Sequence, residues 1–181
     1  TALAQQLAGG DYATANFAIA GVFIARLLPS VILGPLAGVI ADKFDRKKVM
    51  IIGDILRALL FISIPIVGNY FWLYAATVLI ECVTLFWSPA KEATVPNLVP
   101  KNRLENANQV SLFAAYGTAP IAAAFFSLLS IFITGISTAL SLGENSAVDL
   151  ALYINALSFL FSAFTIFNLE IPKEHLKKPE A

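Results

Sequence analysis

Residues 17–41 read FAIAGVFIARLLPSVILGPLAGVIA, residues 42–48 DKFDRKK, and residues 49–67 VMIIGDILRALLFISIPIV. Two apolar runs, each long enough to cross a bilayer, flank seven residues of which six are charged. About 20 mostly apolar residues match the thickness of the hydrocarbon core. The same length and composition recur at residues 71–89, 110–134 and 150–168. The chain as a whole is 58% hydrophobic and 13% charged, against about 25% charged in a soluble domain. Five successive helices that are apolar all round leave no polar faces to form a water-exposed surface. The expectation is an all-α integral membrane protein, with a partial transmembrane bundle over residues 1–171.

The connections orient these spans, because cytoplasmic loops carry the Lys and Arg excess. Lys43, Arg46, Lys47 and Lys48 lie between the first and second spans, and Lys91, Lys101 and Arg103 between the third and fourth. Lys173, Lys177 and Lys178 follow the fifth, so ten of the twelve basic residues fall on one side. The opposite connections, 68–70 and 135–146, hold no Lys or Arg; Glu144 lies there and Asp149 opens the next span. Trp72 and Trp87 lie near span ends, as an aromatic belt predicts. Residue 1 then lies outside and residue 181 inside. The simplest completion is an upstream helix whose last turns are residues 1–7, for six helices in all, with 172–181 opening a cytoplasmic linker.

Several functions find no support in the residues. Formal net charge is zero, so bulk charge points to no nucleic-acid partner. The one cysteine, Cys82, stands in an apolar run, and the one histidine, His175, in the polar tail. They make no disulfide, metal cluster or catalytic relay. With no Gly-x-x-x-x-Gly-Lys-Ser/Thr loop, ATP is not the expected energy source. No cofactor, metal or enzymatic activity is expected.

Two segments carry more specific information. The first is Gly38-Val-Ile-Ala-Asp42-Lys43-Phe-Asp45-Arg46-Lys47-Lys48, a helix end of small residues running into a charged turn. It resembles the signature between the second and third helices of the major facilitator superfamily: Gly, two residues, a small residue, Asp, a basic residue, any residue, Gly, then basic residues. Asp45 stands where that pattern usually has its second Gly, as in some drug-exporter branches. The resemblance implies that Asp42 meets a helix N-terminus of the other half when the cytoplasmic side is closed. Such a contact is worth roughly 0.3–2 kcal/mol, enough to bias a gate and weak enough to release it. Gly34 and Gly38 form a Gly-x-x-x-Gly pair on the same helix. That spacing permits close helix approach, either within this bundle or against the other half.

The second segment, Ala115-Tyr-Gly-Thr-Ala119-Pro120-Ile-Ala-Ala123-Ala124, resembles the antiporter signature of the family's fifth helix, with alanine in place of glycine. Pro120 remains to kink the helix. The stretch from Pro89 to Pro100, with Leu104-Glu-Asn-Ala-Asn108, is similar to the corresponding loop of macrolide-efflux and enterobactin-export branches. The resemblance covers essentially the whole chain. It implies the N-terminal six-helix half of a twelve-helix carrier that alternates access around a midplane site.

Arg26, Asp54, Arg57 and Glu81 fall inside spans, where a charge needs a partner or water. Asp54 and Arg57, three apart, share a helix face and form a local ion pair. Arg57 and Glu81 each lie roughly 13–15 Å from the cytoplasmic ends of their spans, so Glu81 is an alternative partner for Arg57. For Arg26 the sequence identifies no acidic partner. Intramembrane carboxylates serve proton relays. Glu81, on the helix that the resemblance places against the central cavity, is therefore the candidate for proton coupling, with a purely structural pairing to Arg57 or Arg26 as the alternative.

The expected function is proton-driven export of a small lipophilic compound, with the bilayer, the substrate and the C-terminal half as partners. The gate motif comprises Gly38, Asp42, Lys43, Asp45, Arg46 and Lys47. An importer, a uniporter or a lipid flippase of the same fold, or a non-transporting membrane scaffold or fragment, remain open.

Overall fold

A computed structural model describes residues 12–41, 44–140 and 146–170. Residues 1–7, Asp42, Lys43, Glu144, His175 and the basic tail, each singled out above, lie outside the described residues. The helices are α1 (Tyr12–Ala41), α2 (Arg46–Val67), α3 (Tyr70–Leu98), a 3-10 turn (Lys101–Arg103), α4 (Leu104–Leu112), α5 (Thr118–Leu140) and α6 (Ser146–Asn168). Arg46–Val67, Tyr70–Leu98 and Ala147–Asn168 are long and apolar enough to cross a membrane, and Ile19–Gly34 and Thr118–Ile133 are shorter apolar stretches.

Local chemistry explains the boundaries. Asp45 caps α2: its backbone is extended (φ −63°, ψ 111°) and its carboxylate accepts from the Lys48 amide at 3.2 Å. The chain turns from α2 into α3 in two residues. Gly68 takes the left-handed conformation (φ 60°), its amide donating to Ile64 at 3.0 Å, and Asn69 caps α3 by accepting from the Trp72 amide at 2.8 Å. A left-handed position favours glycine because a Cβ would crowd the backbone. The span expected at 71–89 lengthens to Leu98, with Pro89 and Pro96 inside the helix. Between α4 and α5 the helix widens into a π-turn, Phe113–Gly117. This turn directly precedes Thr118-Ala119-Pro120. Pro120 has no amide to donate back toward Tyr116, and the widened turn takes up the misfit.

The helices pack as a chain of neighbours: α1 on α3, α3 on α2, α2 on α6, with lighter contact between α6 and α5. Buried positions are mostly small, among them Ala58, Ala76, Ala90 and Ala156, whereas Phe23, Val31, Leu59, Phe71, Phe161 and Phe164 point outward. A soluble bundle has the opposite distribution. Small residues between helices and large apolar ones outside suit packing in lipid, where close backbone approach drives association. Two glycines show this approach: a Cβ on Gly21 would meet the Tyr74 ring at 3.0 Å, and one on Gly53 would meet Trp87 Cδ1 at 3.2 Å.

Candidate functional site

The two ends of that chain of helices both curl onto one space. A cavity of about 630 Å³ is lined from α1, α2, α3, α5 and α6. Its polar lining is Arg26, Arg57, Thr77, Glu81, Thr84 and Asn155; the rest is apolar. It reaches Ile64, Leu73 and Val148, toward the helix ends remote from the basic connections. A second, smaller cavity of about 360 Å³ runs from Glu81 and Thr84 past Ser30, Gly34 and Ser88 to Pro89, toward the basic end. Glu81 and Thr84 line both.

Arg26 Nε donates to Glu81 Oε1 at 2.9 Å. The pairing is the Arg26 alternative named for Glu81, and it gives Arg26 a partner that its own position in the sequence did not identify. The two residues are 55 apart in sequence, and only the packing of α1 on α3 brings them together. The Arg26 side chain is 67% exposed and that of Glu81 18%.

Asp54 and Arg57 form an ion pair one turn apart on α2, and Asp54 is fully buried. The pair is a node joining three helices. Ser162 on α6 donates to Asp54 Oδ2 at 2.7 Å. The Arg57 guanidinium lies against two rings, 4.5 Å from the centroid of Trp87 on α3 and 4.6 Å from that of Phe159 on α6. Phe159 in turn stacks on Phe61 at 5.6 Å. Against aromatic faces a guanidinium regains part of its lost hydration from the ring quadrupoles. Trp87 is therefore not a belt residue facing outward. Its ring lies against Arg57, and among the described residues its buried indole nitrogen makes no hydrogen bond of normal geometry. Ser162, Phe159 and Gly53 were missed because single neutral residues in apolar helices carry no periodic signal.

At the basic end the side chains tie helix termini together. Arg46 donates to the Ala93 carbonyl at 3.1 Å, and Lys47 to that of Leu169 at 2.8 Å. Lys47 also lies 5.8 Å from the Phe167 ring. The Leu169 carbonyl lies just past the end of α6, where the helix offers no further donor, and the Ala93 carbonyl, inside α3, also accepts from the Asn97 side chain at 3.3 Å. A Cβ on Gly34 would meet nothing within 4 Å, so among the described residues no helix packs on that glycine; Gly38 lies one turn further along α1.

Residues 1–181 match the family model described as Major Facilitator Superfamily. An uncharacterised transporter of this type from Bacillus subtilis, YfiS, is 33% identical over 151 residues, covering 78% of this chain and 31% of the relative. The putative bacilysin exporter BacE of Bacillus subtilis is 29% identical over 154 residues, covering 83% and 35%. Macrolide efflux protein A of Enterococcus faecalis is 30% identical over 152 residues, covering 81% and 43%. The chain thus spans about a third of the length of the first of these relatives. No solved structure matches.

Proposed function

The chain belongs to the major facilitator superfamily and is a multi-pass membrane transporter segment, and from that premise we propose that it forms the N-terminal half of a proton-coupled exporter of small lipophilic compounds in the cell membrane. The C-terminal half of the same protein supplies the opposite wall. Access alternates by rocking of the two halves. The observation that carries this reading is the position of Glu81, on the wall of both cavities, one extending toward the basic end and one away from it. A carboxylate reached from both directions is where a proton can be loaded on one side and released on the other. The names of two relatives, an exporter and an efflux protein, favour outward transport.

In this reading Glu81 couples the proton, and protonation weakens its hold on Arg26. Asp42, Lys43, Asp45, Arg46 and Lys47, with Gly38, form the cytoplasmic gate. Gly34 and Gly38 offer the other half a flat helix face on which to slide. The Asp54–Arg57 pair is the rigid hinge-side support, and Pro120 with its π-turn supplies a bend in the moving wall.

The test uses inverted vesicles containing the complete gene product and a pH-sensitive dye. Addition of a macrolide antibiotic or another lipophilic compound is expected to dissipate an imposed proton gradient. Glu81→Gln is expected to abolish both this flux and uphill accumulation while leaving the protein folded. Unchanged proton flux in that variant removes Glu81 from the mechanism; downhill movement without any proton flux makes the carrier a uniporter.

A further inference from the structure

We propose that the Arg26–Glu81 pair receives a zwitterionic head group, an ammonium close to a carboxylate, on a substrate whose body is apolar; this rests on the reading of the cavity as a transport pathway. Among the described residues two cations line the cavity, and Arg26 is the less engaged of them. Arg57 has the rings of Trp87 and Phe159 within 4.6 Å of its guanidinium carbon, one nitrogen on Asp54 and another on the Gly53 carbonyl. Arg26 holds Glu81 through Nε alone, and among the described residues its two Nη nitrogens have no partner. Glu81 accepts through Oε1, and Oε2 is likewise without a partner among them. Both side chains line the cavity.

This leaves a fork of donors beside a free carboxylate oxygen. The end of a guanidinium matches a carboxylate with two parallel N–H bonds. The free oxygen of Glu81 accepts from an ammonium. The pair is neutral as it stands. A purely anionic ligand would leave net negative charge at membrane depth, and a purely cationic one net positive charge. A ligand with both leaves the site neutral and requires no existing bond to break. The remaining walls, including Val22, Phe61, Ile80 and Phe126, are apolar, and about 630 Å³ accommodates a body of dipeptide size.

The experiment measures binding to the purified complete gene product in nanodiscs with four probes. Phenylalanylleucine carries both charges, its N-acetyl derivative only the negative one, its amide only the positive one, and the N-acetyl amide neither. The zwitterion is expected to bind at least about tenfold more tightly than either singly charged probe, a gap of one charge-assisted hydrogen bond. In Glu81→Gln the N-acetyl derivative is expected to bind as well as the parent, and in Arg26→Gln the amide should do so. Unchanged binding of the uncharged probe in both variants reports that the cavity is intact. Equal binding of all four probes overturns the head-group assignment and leaves the pathway reading standing. Preference for either singly charged probe in the unmodified protein overturns it too, as expected if an acidic group elsewhere in the protein occupies Arg26. Binding of none also overturns it, and the vesicle assay then decides the pathway reading independently.

Discussion

Ser162 of α6 donates a 2.7 Å hydrogen bond to the carboxylate of Asp54 on α2, across 108 residues of sequence. The carboxylate is fully buried and its other oxygen is held by Arg57. Each carboxylate oxygen is thus committed, one to another helix and one to the next turn of α2. Removing one partner from such a buried pair costs about 3–5 kcal/mol. Asp54→Ala is expected to cost that much, and Ser162→Ala about 1–3 kcal/mol, from an acceptor left unsatisfied. Replacing Asp54 and Arg57 together by Leu and Met should cost less than Asp54→Ala alone. Thermal unfolding of the purified protein in detergent checks the order of the three.

Trp87 contributes its face and not its N–H. Trp87→Phe keeps a ring over Arg57 and removes a buried donor that makes no hydrogen bond of normal geometry among the described residues. Its expected cost is below about 1 kcal/mol, because the weaker cation–π contact is offset by the lost desolvation penalty. Trp87→Ala should cost about 3–5 kcal/mol, the usual loss for a large aromatic. Equal melting temperatures for the two variants would show that the ring does not support the node.

Gly53 is tight against that same ring. A methyl there meets Trp87 Cδ1 at 3.2 Å and Val83 Cγ1 at 3.3 Å, so α2 and α3 must separate slightly. Gly53→Leu is expected to destabilise by about 1–3 kcal/mol as an overpacked contact. Gly34→Leu, with open space around it, should leave the stability of this bundle unchanged and impair transport. The paired measurement is a melting curve and vesicle uptake for each variant.

Asp45 stands where the loop signature that this sequence resembles has a glycine, and its backbone has no need of one. With φ at −63° no left-handed conformation is demanded there. The side chain instead caps α2. Asp45→Ala is expected to cost about 0.5–2 kcal/mol and Asp45→Gly only a few tenths. Hydrogen exchange at the first turn of α2 reads the difference directly: faster exchange in the alanine variant, little change in the glycine variant.

Lys47 holds the chain end after α6 through the Leu169 carbonyl. Lys47→Met is expected to speed amide exchange at residues 166–170 while changing global stability by less than about 1 kcal/mol, because the contact is exposed. A large loss of global stability would mean that the basic end is structural rather than a releasable tie.

The sequence alone determined the class of the protein. Span length, the one-sided distribution of ten basic residues and the charged turn after Ala41 depend only on local composition, and the bilayer imposes the same length and sign rules on every helix. The pairing of Asp54 with Arg57 was also legible, since a spacing of three places two side chains on one helix face. What the tertiary structure decided was everything that needed two helices at once. Arg26 and Glu81 meet because α1 packs on α3, Trp87 turns inward because Arg57 lies opposite it, and Ser162 reaches Asp54 because α6 lies on α2. Apolar helices in lipid have no polar face to set their rotation. Which residue of each helix faces which neighbour follows from small-residue packing and the pairing of a few charges, and these are properties of the assembled bundle.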